Sequence, residues 1–106
     1  AVSVTRVPGA FELPLAVSSL MDTGDFDGAV ALGCVIRGET PHFDHVSRAA
    51  TDGLQQVALD YGVPIGFGVL TTDSLAQAIA RSGSASNKGF DAAIAAIEMT
   101  QLLREL

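Results

Sequence analysis

Residues 28–36 read Gly-Ala-Val-Ala-Leu-Gly-Cys-Val-Ile, an apolar run without the polar alternation of a strand that shows one face to water. Such a run suits a parallel strand buried on both faces, and parallel strands need crossover helices to join them. The flanking segments have the periodicity to supply those helices. Residues 2–7 alternate small apolar and polar side chains and predict a first short strand. Pro8-Gly9-Ala10 breaks it, and a helix follows from about residue 11 or 12 to 22, with Pro14 tolerated in the first turn. Leu13, Val17 and Leu20 share one face of that helix, and Gly24 ends it. After the apolar run comes a turn at 37–41, where Thr40 is the expected N-cap and Pro41 the expected first helical residue. The next helix extends to about Tyr61, with Phe43, Val46, Ala50, Leu54, Val57 and Leu59 as candidate core. Gly62-Val63-Pro64 leads into a third strand at 65–70, and residues 71–74 form a cluster of capping side chains. A short helix at 75–81, a Gly/Ser-rich loop at 82–87 and a last helix at 88–104 complete the chain, the last burying Ala92, Ala93, Ala96, Ile97 and Leu103. This alternation predicts an α/β domain with a parallel sheet and right-handed crossovers. Three strands make a thin sheet, so a further strand upstream or burial against other subunits is expected.

Composition narrows the function. At 106 residues the chain is one domain, and 48% hydrophobic with 17% charged residues excludes the disordered class. A net charge of -6 argues against nucleic acid or anionic membrane as a partner. The single cysteine, Cys34, permits no internal disulfide and fits a reducing compartment, the cytoplasm. No apolar run spans a membrane, and no signal-peptide pattern is present.

In an open parallel sheet the ligand crevice lies at the carboxyl ends of the strands. The residues that follow each strand are therefore the candidates. His42 falls in the first turn of a helix, where the dipole opposes a positive charge and a neutral ring can accept a proton; a capping or surface histidine reads equally well. His45 lies three residues on, but a metal would need a third ligand, and only strand-embedded Cys34 remains, so no metal is expected and Cys34 reads as packing. Gly38-Glu39-Thr40 precedes a helix and offers backbone N–H groups to a phosphate, or serves as an ordinary cap. Arg81 and Lys88, the only lysine, make a positive spot on an acidic chain, or a solvated pair. Phe11 beside Glu12 suits a flat heterocycle bearing hydroxyls or amines, although core and first-turn roles fit both residues; Phe67 is likewise a candidate core residue.

Taken together these segments resemble a known family. Val7-Pro8-Gly9-Ala10-Phe11-Glu12-Leu13-Pro14 resembles the VPGAFE(I/L)P motif of the lumazine synthases. The stretch from Ala31 through Gly33-Cys34-Val35-Ile36-Arg37-Gly38-Glu39-Thr40-Pro41-His42 to Asp44 resembles their ALGCVIRGxTPHFD signature, and residues 67–72 and Asn87-Lys88-Gly89 match two further blocks in the same order. The resemblance implies a flavodoxin-like three-layer α/β/α sandwich. It also implies condensation of 5-amino-6-(D-ribitylamino)uracil with 3,4-dihydroxy-2-butanone 4-phosphate to 6,7-dimethyl-8-ribityllumazine, the penultimate step of riboflavin synthesis, with no cofactor. By position it assigns proton transfer to His42, its orientation to Asp91, and the uracil site to Ala10, Phe11, Glu12, Cys34, Val35, Ile36 and Phe67. Glu39, Thr40 and Arg81 take the phosphate, with Lys88 nearby. It further implies pentamers, decamers or sixty-subunit shells with active sites between subunits. An additional N-terminal strand, between the first and second strands read here, is expected in a longer protein, so residues 1–106 are expected to be an N-terminally incomplete single domain. His45 stands where many relatives have Tyr, and the 82–87 loop is one residue shorter than is common. Two other readings compete: a flavin- or lumazine-binding or shell-forming protein without catalysis, and a riboflavin synthase of the same fold. His42, Arg81 and Lys88 together favour the synthase over the first, and the intact turn at 37–42 over the second.

Overall fold

The computed structural model describes residues 2–106. Two strands, β1 (Ala29–Ile36) and β2 (Ile65–Thr72), pair in parallel and in step, from Ala29 opposite Ile65 to Ile36 opposite Thr72. The helices are α1 (Leu13–Asp22), preceded by a 3-10 turn at Ala10–Glu12, α2 (His42–Tyr61), α3 (Leu75–Ala80) and α4 (Lys88–Glu105). Pro14 sits at the start of α1, where its missing N–H is harmless.

One face of the sheet carries the main core. Leu13, Val17 and Met21 of α1 and Leu54 and Val57 of α2 close over Ala31 of β1 and Val69 of β2. Burying a side chain such as Leu54 contributes roughly 2 kcal/mol. The other face takes α4, which lies against β2 because small residues meet there. A Cβ on Gly66 would collide with the carbonyl oxygen of Ala92, and one on Gly68 would meet the Ala92 methyl at 3.4 Å. Helices thus flank both faces, as expected of an α/β/α arrangement.

Several sequence expectations need correction. Residues 2–7 form no strand: the sheet has two, and Val2 and Val4 are exposed. A strand requires a ladder partner, and this segment makes no backbone hydrogen bond among the described residues. β1 is not buried on both faces either. Its odd-numbered residues turn to the core, but Val30, Leu32, Cys34 and Ile36 are exposed because α4 covers β2 and leaves β1 largely bare. Cys34 is therefore not a packing residue. The N-cap of α2 is Pro41, without a side-chain bond, rather than Thr40. Leu59 projects outward from α2, and Ile97 and Leu103 are exposed on α4, whose buried stripe reduces to Ala92 and Ala96 with Ala93 half-buried. No helix among the described residues is long and apolar enough to cross a membrane.

Candidate functional site at the carboxyl edge of the sheet

Chain direction brings most of the predicted residues to one edge. β1 runs out into 37–41 and α2, and β2 runs out into Asp73, Ser74 and α3. The 3-10 turn carrying Ala10, Phe11 and Glu12 sits against β1, with the Ala10 and Leu13 side chains over Gly33. Cys34, Val35 and Ile36 end β1, and Phe67 lies on β2 opposite Ala31. Phe11 is 62% exposed and Phe67 43%, so each offers ring surface that the chain itself does not cover.

The turn after β1 is anchored at its two ends and open between them. The Arg37 backbone N–H donates to the Thr72 carbonyl at 2.8 Å, continuing the strand pairing past Ile36. The first closed helical bonds come from Asp44 and His45 to the Pro41 carbonyl, at 3.0 and 3.5 Å. The backbone N–H groups of Gly38, Glu39, Thr40, His42 and Phe43 have no acceptor among the described residues. Together with the positive end of the α2 dipole, they are free to donate to an anion. His42 is the first residue of α2 and is exposed.

A second cationic element follows α3. Ser74 caps that helix by accepting from the Gln77 N–H at 3.2 Å. Arg81 then lies at its C-terminal end, its Nη1 donating to the Gln77 carbonyl at 3.2 Å. The 82–87 loop doubles back on itself, Gly83 N–H donating to the Ser86 carbonyl at 3.0 Å and Lys88 N–H to the Arg81 carbonyl at 2.9 Å. The two cationic residues are thereby joined through the backbone. Asn87 caps α4 by accepting from Phe90 N–H at 2.9 Å. Lys88 Nζ stands 4.0 Å from Asp91 Oδ2, and no hydrogen bond links Asp91 to His42 among the described residues. Arg81 has no carboxylate partner among them, so its guanidinium is available to an anion.

Arg37 is different. Its Nε donates to Asp73 Oδ1 at 2.8 Å, Nη2 lies 4.0 Å from Asp44 Oδ1, and its Cζ is 4.7 Å from the centre of the Phe43 ring. The hydrogen bond to Asp73, helped by the charges of Asp73 and Asp44, holds this guanidinium above its ordinary range. Sequence reading placed Arg37 in the turn but gave it no role. The signal lies in the strand register: the in-step pairing that puts Ile36 beside Thr72 also puts Arg37 beside Asp73.

Two open depressions lie on the surface among the described residues. One, of about 320 Å³, is lined by Asp44, His45, Arg48 and Ala49. The other, of about 520 Å³, is lined by loop 82–87 with Phe90 and Asp91. Neither includes His42, Phe11 or Phe67.

A sequence model of the family described as 6,7-dimethyl-8-ribityllumazine synthase matches residues 1–104. Proteins named 6,7-dimethyl-8-ribityllumazine synthase from two strains of Nitratidesulfovibrio vulgaris, DP4 and Hildenborough, are each 53% identical to this chain over 106 residues. The alignment takes in 99% of this chain and 68% of each relative. A match of that extent includes the β1–α2 turn, the 3-10 turn and the Arg81–Lys88 loop alike, and the chain belongs to the 6,7-dimethyl-8-ribityllumazine synthase family.

Proposed function

We infer that the chain condenses 5-amino-6-(D-ribitylamino)uracil with 3,4-dihydroxy-2-butanone 4-phosphate, releasing phosphate and two waters, at the carboxyl edge of its sheet. The observation that carries this reading is the β1–α2 turn, where backbone N–H groups without acceptors stand next to an exposed histidine. The amine of the uracil attacks the ketone and forms a Schiff base, phosphate leaves, and the ring closes. Gly38, Glu39 and Thr40 hold the phosphate through N–H groups and the Thr40 hydroxyl, and Arg81 supplies the countercharge. His42 moves protons, a role that contributes about 10²–10⁴-fold. Ala10, Phe11, Glu12, Cys34, Val35, Ile36 and Phe67 hold the uracil. Holding both substrates together supplies much of the remaining acceleration.

The working form is a homo-oligomer, a pentamer or a multiple of pentamers, in the cytoplasm. Two features support assembly. Apolar side chains run along α4 in the open, including Phe90, which is 65% exposed, Ile94, Ile97 and Leu102, and Leu32 is bare on β1. In addition, Asp91 makes no hydrogen bond to His42 among the described residues, so an orienting role toward that histidine calls for a neighbouring copy.

Mixing the protein with both substrates and following absorbance in the lumazine band tests the reading, with His42→Ala alongside. Lumazine formation that is largely lost in the variant is expected. A folded, assembled protein that binds lumazine but forms none would overturn catalysis in favour of a binding or scaffold role.

A further inference from the structure

The unassigned feature that reaches furthest is the Arg37 side chain. One guanidinium contacts three groups from two segments: Asp73 after β2, and Phe43 and Asp44 in the first turn of α2. Its own backbone N–H is bonded to the Thr72 carbonyl. Between Arg37 and Phe43 lie the residues that bind phosphate and move protons in the reading above, and Glu39, Thr40 and His42 make no side-chain hydrogen bond among the described residues. The turn therefore takes its position from its two ends, and the Arg37 side chain touches both the far end and Asp73, the residue that follows β2. Asp73 is in turn fixed to α3, its N–H donating to Gln77 Oε1 at 2.8 Å.

Energetics separate positioning from stabilisation. Both ion pairs are more than half exposed, and pairs of that kind add little to stability. Displacing reacting groups by an ångström, in contrast, costs up to about 100-fold in rate. We propose that Arg37 is a positioning residue for the phosphate-substrate site: its hydrogen bond to Asp73 and its stack on Phe43 set where the 38–42 turn stands relative to the sheet. This rests on the assignment of that turn and His42 as the reacting site. Lys keeps the charge but lacks the planar fork and stacks less well, so it is only a partial substitute.

The test uses the assembled protein, with Arg37→Ala, Arg37→Lys, Asp73→Asn and His42→Ala measured together for Tm and for kcat and KM toward each substrate. The expected result is a rise of about tenfold in KM for the butanone phosphate and a fall in kcat for Arg37→Ala. KM for the uracil substrate should stay within about twofold and Tm within a few degrees. Arg37→Lys should recover part of the loss, and Asp73→Asn should reproduce part of it. Kinetic constants unchanged in Arg37→Ala would overturn the proposal, as would equal rises in both KM values accompanied by a large drop in Tm, the pattern of general loosening. If His42→Ala itself leaves kcat unchanged, the site assignment has failed. If His42→Ala abolishes turnover while Arg37→Ala is silent, the site stands and only the role of Arg37 has failed.

Discussion

The two ends of the sheet are built on opposite plans. At the amino ends of the strands the helix ends are tied off. Thr23 Oγ1 donates to the Leu20 carbonyl at 2.7 Å and accepts from Asp25 N–H at 3.2 Å, and the Tyr61 hydroxyl donates to Asp22, joining the end of α1 to the end of α2. Gly62 takes the left-handed conformation at φ 63° and closes α2, after which Val63 N–H donates back to the Ala58 carbonyl at 3.2 Å. At the carboxyl ends the backbone is anchored only at intervals. Among the described residues the side chains of His42, Glu39 and Thr40 are left unpartnered, and the Arg81 guanidinium meets only a backbone carbonyl. Local bonds are spent on stability at one end and left open for ligands at the other. Substitutions at the two ends should therefore be read by different instruments.

The largest effect is expected at the open end. His42→Ala should lower kcat by about 100-fold or more, with KM for both substrates and Tm little changed. Arg81→Ala should do the reverse, raising KM for the butanone phosphate by about tenfold or more through loss of a charged hydrogen bond, with a smaller effect on kcat. Steady-state kinetics with each substrate varied separates the two. Equal effects of both substitutions on both parameters would break the division of roles between the turn and the loop.

A middle-sized effect belongs to the tied end. Gly62→Ala meets no atom within 4 Å, so crowding plays no part and the cost is backbone strain alone, about 1 kcal/mol. Denaturant unfolding should register it while kcat/KM stays unchanged. A change in kcat/KM instead would show that the two ends are coupled through α2.

The contrast between the ends was partly legible in the sequence. Gly24, Gly62 and Pro64 announced where elements stop, and the run 28–36 announced a parallel strand, because local backbone chemistry sets both. The position of His42 just beyond β1 followed from chain direction, since in a parallel sheet what leaves each strand arrives at the same edge. What periodicity missed was which surfaces have neighbours. Residues 2–7 have the composition of a strand, but strand formation is settled by a partner at the right edge. The apolar residues of β1, and Leu59, Ile97 and Leu103, were placed in the core because hydrophobicity says only that a side chain gains from cover, without saying whether this chain supplies it. Arg37 escaped for a related reason. Its contacts run to Asp73, distant in sequence, and are visible only once the strand register is known.

The smallest prediction probes the tie at the closed end. The hydrogen bond to Asp22 raises the Tyr61 phenol above its ordinary value of 10.0, an effect opposed in part by the contact with Ser18 and reinforced by the charges of Asp22 and Asp60. A proton held more tightly in the folded state than in the unfolded one stabilises the fold fully below the unfolded value and is lost as pH rises through the folded one. The difference in Tm between the natural chain and Tyr61→Phe should thus be constant from neutral pH to about pH 9 and shrink above pH 10. Thermal melts of both chains across that range check it, with kcat/KM of the variant unchanged at neutral pH. The phenol is exposed, so the bond competes with water and the difference is expected to be small throughout. If the difference fails to shrink above pH 10, the phenol proton is not what joins α1 to α2. The closed end would then owe its order to Gly62 and to the apolar contacts of Leu54 and Val57 with α1, and the contrast with the carboxyl end would rest on packing instead of hydrogen bonding.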